Sequence, residues 1–112
     1  MEIEIMKLHD LVKKDFGYEM SLFRFPRGEY SERALAVVKN CGYKSIFWSF
    51  AYVDWKVDAQ PPAAESLQKA INGAHNGAIY LLHAVSSTNN AILGQLIDSV
   101  EAQGYKWSEF NA

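Results

Sequence analysis

A chain of 112 residues, 49% apolar and 21% charged, has the composition of one globular domain or part of one, which excludes disordered, collagenous and membrane classes. With 11 Lys and Arg against 13 Asp and Glu, the formal charge is −2 and no basic run exists, which argues against a nucleic-acid partner. Cys41 is the only cysteine, so an internal disulfide is excluded.

The opening Met1-Glu-Ile-Glu-Ile-Met has neither the basic flank nor the apolar stretch of a secretion signal, and no apolar run is long enough to span a bilayer. The chain as written is therefore expected to be soluble, with no membrane segment, and to stay where it is made. Leu8, Leu11 and Val12 mark a first helix that ends before Gly17, and Leu22-Phe-Arg-Phe25 follows as a first strand. After the candidate cap Ser31, Leu35 and Val38 mark a second helix. Cys41 closes it, at the negative end of the helix dipole where a thiolate is disfavoured, so a packing role is expected.

Ser45 to Phe50, "SIFWSF", is a second strand, and Pro61-Pro62 breaks the chain before a weaker stripe of Leu67, Ala70, Ile71 and Ala74. Ala78 to Val85, "AIYLLHAV", is a third strand, continuously apolar as in strands buried on both faces. Leu93, Leu96, Ile97 and Val100 lie at i, i+3, i+4 and i+7 on a fourth helix, and Tyr105-Lys-Trp107 follows as a last strand. Gly17, Gly42, Gly104 and, more loosely, Gly77 each stand between a helical pattern and a β-rich run, where a left-handed C-cap is expected. Four helix-strand units imply right-handed crossovers and a parallel sheet, an α/β fold.

Such folds place chemistry at the carboxyl ends of their strands. Those positions hold Arg24 to Gly28, Ala51 to Asp58 and His83 to Ser87. His83 is either a satisfied core histidine or an exposed general acid paired with a carboxylate. Asp54 in "YVDWKVD" is either a loop carboxylate that caps the next segment or the partner that orients an imidazole. Arg24, between Phe23 and Phe25, faces away from them, either snorkelling to solvent or paired with a carboxylate. The turn "FPRGEY" combines Pro26 and Gly28 and can present a backbone N–H to an oxyanion.

No dinucleotide fingerprint, P-loop, nucleophile elbow or zinc-type cysteine pair is present. His9, His75 and His83 fall on different elements, so no metal site is expected within this chain; His9 and His75 are expected to face solvent on their helices.

Three motifs together resemble a known family. Arg24-Phe-Pro-Arg-Gly28 resembles the R-x-P-x-G motif of the polysaccharide deacetylases, the NodB-homology or carbohydrate esterase family 4 enzymes. Asp54-Trp55 resembles the end of their D-x-x-D-W motif, and Leu81-Leu-His83 their L-x-H motif, in the same order and at matching spacing. "RFPRGEYSERALA", "FWSFAYVDWKVD" and "YLLHAVS" further resemble the bacterial branch that deacetylates muramic acid in spore-cortex peptidoglycan on the way to its δ-lactam, over about Leu22 to Phe110.

The resemblance implies half of an irregular (β/α) barrel and a hydrolase of sugar N-acetyl groups, exported or cell-wall associated as a whole protein. It assigns His83 as the general acid, Asp54 as its partner and Arg24 as holder of the catalytic base. The backbone N–H of Arg27 would be an oxyanion donor, and Trp55 and Leu81 the pocket walls. Ala51 stands where the family's first Asp of D-x-x-D-W would be. The family's first two motifs, T-F-D-D-G and H-[S/T]-x-x-H, are absent; they would supply the base and the ligands of a divalent metal, zinc or cobalt.

Residues 1–112 are thus expected to form a single partial domain, the C-terminal half of the catalytic domain, inactive alone. Its partners would be an N-acetylated glycan such as peptidoglycan and either the missing half-domain or a second copy, since exposed sheet edges and an apolar face favour self-association. The alternative is a non-catalytic α/β module that binds glycan or protein through exposed Trp48, Trp55 and Trp107.

Overall fold

The computed structural model describes residues 1–110. Two compact units divide the chain, one of residues 1–47 together with Phe110, the other of residues 48–109. In the first, helix α1 (Glu2–Phe16) carries Glu2 and Glu4 in its first turn and Lys13 and Lys14 in its last, matching the helix dipole. It stops at Gly17, whose φ of 65° lets its N–H turn back onto the Lys13 carbonyl at 2.8 Å.

Strand β1 (Leu22–Phe23) then pairs in parallel with β2 (Lys44–Ser45), Leu22 opposite Lys44 and Phe23 opposite Ser45. Between them runs α2 (Glu32–Asn40), started by Ser31, whose Oγ accepts the Ala34 N–H at 3.0 Å. Ile5, Phe25, Val38 and Tyr43 form the core of this unit, and Phe25 stacks on Phe47 at 6.0 Å.

The buried face of α1 is not the one its leucines mark: Leu8 and Leu11 are exposed, and Ile5 is buried instead. One turn beyond Ile5 lies His9, which is half-buried and hydrogen-bonded through Nδ1 to the Tyr43 hydroxyl at 2.8 Å. The expected solvent-facing histidine is therefore a packing residue, because the i, i+4 row through Ile5 meets Tyr43.

In the second unit, α3 (Ala63–Asn72) and α4 (Ser87–Ala102) pack together around Ala70, Leu96 and Val100, with Phe50, Leu67, Tyr80 and Leu82 against that cluster. Ile92, Leu96 and Val100 form the buried row of α4, while the expected face residues Leu93 and Ile97 are exposed. Phe50 and Tyr80 make a parallel bridge: the Phe50 N–H donates to the Ile79 carbonyl at 3.2 Å and the Leu81 N–H to the Phe50 carbonyl at 2.9 Å. At the end of α3, a Cβ on Gly73 would stand 2.9 Å from the Phe50 ring, so only a glycine lets the helix end close on it.

Among the described residues, four helices and the parallel pairings match the α/β expectation, but the strands are shorter than the apolar runs that announce them. Regular pairing covers two residues each in β1 and β2 and one bridge at Phe50 and Tyr80. Tyr105–Trp107 is not a strand; Trp107 instead lies edge-on to Tyr80 at 5.8 Å. Apolar runs report burial, whereas a strand also needs a neighbour in register along its length.

Candidate functional site

The chain leaves the Phe50 bridge and turns so that Asp54 lies inside the second unit, fully excluded from solvent. Burial of a carboxylate demands donors, and three are supplied. Oδ2 accepts the His83 backbone N–H at 2.8 Å and the Asn89 carboxamide at 2.6 Å, and Oδ1 faces His83 Nδ1 at 2.7 Å. Burial pushes the Asp54 carboxyl up, but these hydrogen bonds outweigh it, and the net position is below the usual 3.8.

An ionised Asp54 offers only lone pairs, so the proton in the Oδ1 to Nδ1 contact sits on the imidazole. His83 then has Nε2 left for other partners, on a side chain that is one-third exposed. The Trp55 ring stands edge-on to the imidazole at 5.8 Å and is half exposed. Leu81, half-buried, is fixed through its N–H to the Phe50 carbonyl. This is a geometry for delivering a proton at Nε2 beside an open aromatic wall.

A second layer of polar groups was not singled out from the sequence. The Tyr52 hydroxyl donates to Asn89 Oδ1, and Asn89 Nδ2 also reaches the His83 carbonyl at 3.1 Å. Ser86 caps α4 by accepting the Asn89 N–H at 3.0 Å, and its hydroxyl donates to Gln60 Oε1 at 2.7 Å. Gln60 in turn donates to the carbonyls of Asp54 and Lys56 at 2.8 and 2.9 Å. The available signal was the polar run Ser86-Ser-Thr-Asn-Asn90, which a capping reading explains only in part.

Arg24 and Arg27 belong to the first unit. Arg24 is exposed, while its neighbours Phe23 and Phe25 are half-buried and buried, and it makes no salt bridge among the described residues. Arg27 lies in the single turn Pro26–Gly28 with φ 59°, the one non-glycine residue with positive φ among those described. A left-handed arginine costs roughly 1–2 kcal/mol, a strain characteristic of functional turns.

His75 lies exposed in the turn after α3 rather than on the helix. Of the three tryptophans expected to be exposed, Trp55 and Trp107 are, whereas Trp48 is half-buried. No group of three or more His, Cys, Asp or Glu able to hold a metal occurs among the described residues, and Nδ1 of His83 is already committed to Asp54. The residues present do not fit the divalent metal that the resemblance implies.

No family model matches the chain. It is 41% identical over 109 residues to an uncharacterised 30.6 kDa protein of Geobacillus stearothermophilus, covering 96% of this chain and 41% of that one. It is 38% identical, over the same shares, to the peptidoglycan-N-acetylmuramic acid deacetylase PdaA of Bacillus subtilis. The crystal structure of PdaA, described as a family 4 carbohydrate esterase, superposes with a TM-score of 0.83 at 37% identity, over 95% of this chain and 47% of PdaA. A mutant of BA3943, described as a family 4 pseudoenzyme with restored activity, gives the same TM-score at 25% identity, over 94% of this chain and 37% of that one. The chain thus spans about two fifths of the length of these curated relatives.

Proposed function

This chain is homologous over nearly its whole length to the polysaccharide deacetylases of carbohydrate esterase family 4, and on that premise we propose that it carries the general-acid side of an N-deacetylase site. The supporting observation is the buried Asp54 that orients a partly exposed His83 beside Trp55. The substrate is an N-acetylated sugar of peptidoglycan, muramic acid by similarity to PdaA, acted on at the cell wall or outside the cell.

In this reading, residues 1–112 form part of one catalytic domain. Once a tetrahedral intermediate has formed at the acetyl carbon, its C–N bond breaks as the nitrogen takes the Nε2 proton of a cationic His83. Acetate and the free amine leave, and the ring is left neutral, with its Nδ1 proton still against Asp54 Oδ1. Trp55 and Leu81 wall the acetyl methyl within the second unit.

The base and metal correspond to family motifs that do not occur in residues 1–112, so the chain by itself is inactive. Acetate release from N-acetylated muropeptides and chitooligosaccharides, assayed with zinc or cobalt, is expected to stay at background for the chain alone. Clear turnover would contradict that. The half-exposed Trp55 and Trp107, together with a relative described as a pseudoenzyme, favour a second reading as a non-catalytic glycan-binding module. Tryptophan fluorescence on glycan titration, with binding but neither metal nor turnover, would select it.

A further inference from the structure

Asn89 touches both members of the Asp54–His83 pair at once. Its carboxamide nitrogen lies 2.6 Å from Asp54 Oδ2 and 3.1 Å from the His83 carbonyl. The carboxamide oxygen is taken by the Tyr52 hydroxyl. Reversing the amide would set its oxygen against a carboxylate oxygen and a carbonyl, both acceptors, so one orientation alone is allowed. The residue itself is 6% exposed and is the third of α4, placed there by its own N–H bond to the Ser86 cap.

We propose that Asn89 is a positioning residue that clamps the Asp54 carboxylate and the His83 backbone together and so fixes which imidazole nitrogen holds the inner proton. With Oδ2 occupied by the Asn89 carboxamide and the His83 N–H, the carboxylate cannot rotate, and Oδ1 is held as the acceptor for Nδ1. Tyr52 fixes the amide, Ser86 fixes the helix end, and Gln60 ties that end to the Asp54 loop through the Ser86 hydroxyl and the Asp54 carbonyl. The functional meaning of the clamp rests on His83 serving as the general acid, but the clamp itself is a statement about this chain alone.

The test therefore reads the ring and not turnover. In the ¹⁵N-labelled chain, His83 is expected to be the Nδ1–H tautomer with a downfield Nδ1 proton, and the Asn89 carboxamide protons to exchange slowly. In Asn89→Leu and Asn89→Ala, the backbone N–H bond to the Ser86 cap is retained while the donor to Asp54 is lost. Both variants are expected to lose the downfield proton and populate both tautomers while circular dichroism remains folded, Asn89→Ala with the smaller steric change. A folded Asn89→Leu or Asn89→Ala with the wild-type His83 ring spectrum would overturn the proposal. If neither variant folds, free-amide exchange at the Asn89 carboxamide protons of the wild-type chain would overturn it, and slow exchange would sustain it. Failure of the catalytic reading appears separately, as a complete domain whose deacetylation is unaffected by loss of His83.

Discussion

Replacing Asp54 by alanine removes the acceptor from two donors, the His83 N–H and the buried Asn89 carboxamide. Each buried unsatisfied donor costs about 1–3 kcal/mol, so Asp54→Ala is expected to destabilise by about 2–6 kcal/mol, a large share of the 5–15 kcal/mol typical of a whole domain. Asp54→Asn differs in kind. Its oxygen can remain toward the two donors while its NH₂ replaces Oδ1, so three contacts persist but charge assistance is lost. That change costs about 1–2 kcal/mol. The new NH₂ needs an acceptor, so His83 must turn to the Nε2–H tautomer, the wrong form for a proton donor oriented through Nδ1. Urea unfolding followed by circular dichroism gives the two stabilities, and the ¹⁵N ring spectrum gives the tautomer. A loss below about 1 kcal/mol for Asp54→Ala, or an Nδ1–H ring in Asp54→Asn, would refute the reasoning.

Asp54 lies below its ordinary carboxylate value, so its stabilising contribution is complete above about pH 4 and is lost as pH falls through the lower folded value. The stability gap between wild type and Asp54→Asn is therefore expected to shrink as pH falls below about 4; a gap unchanged through strong acid would contradict this. Ser86→Ala loses the α4 cap and the link to Gln60 and is expected to cost about 1–2 kcal/mol by urea unfolding, with a negligible change contradicting the bridge. Gly73→Ala adds a Cβ 2.9 Å from the Phe50 ring and is expected to destabilise by about 1–3 kcal/mol, whereas an ordinary helix-end glycine would gain from alanine.

Helix count and class were legible because glycine punctuation and apolar spacing are local signals: α1 stops at Gly17, and α2 and α4 stop two residues before Gly42 and Gly104, all three glycines left-handed, whereas α3 stops at Gly73, four residues before the expected Gly77. The faces were less legible. Leu93 and Ile97 satisfy a helical row, yet Ile92 is the apolar residue buried between Ser86 and Leu96, and spacing alone cannot say which of two adjacent rows meets a neighbour. Strand lengths were overstated because an apolar run does not reveal whether a partner lies beside it.

At the site, Asp54, Trp55 and His83 were singled out in sequence, and the second unit brings them together. Asn89, Tyr52 and Gln60 were not, since an amide or hydroxyl near a helix start has an adequate capping explanation until the buried carboxylate is seen. Arg27 illustrates the reverse: the turn was foreseen from Pro26 and Gly28, but a strained arginine between them was not.

The most direct measurement is made on a chimera in which this chain replaces the matching 109 residues of Bacillus subtilis PdaA, assayed for acetate release from peptidoglycan. A folded chimera is expected to deacetylate, and His83→Ala within it to lose roughly a hundredfold or more, as for removal of a general acid. A folded chimera with no activity, or one that deacetylates equally well without His83, would contradict the assignment of this chain as the general-acid side of the site.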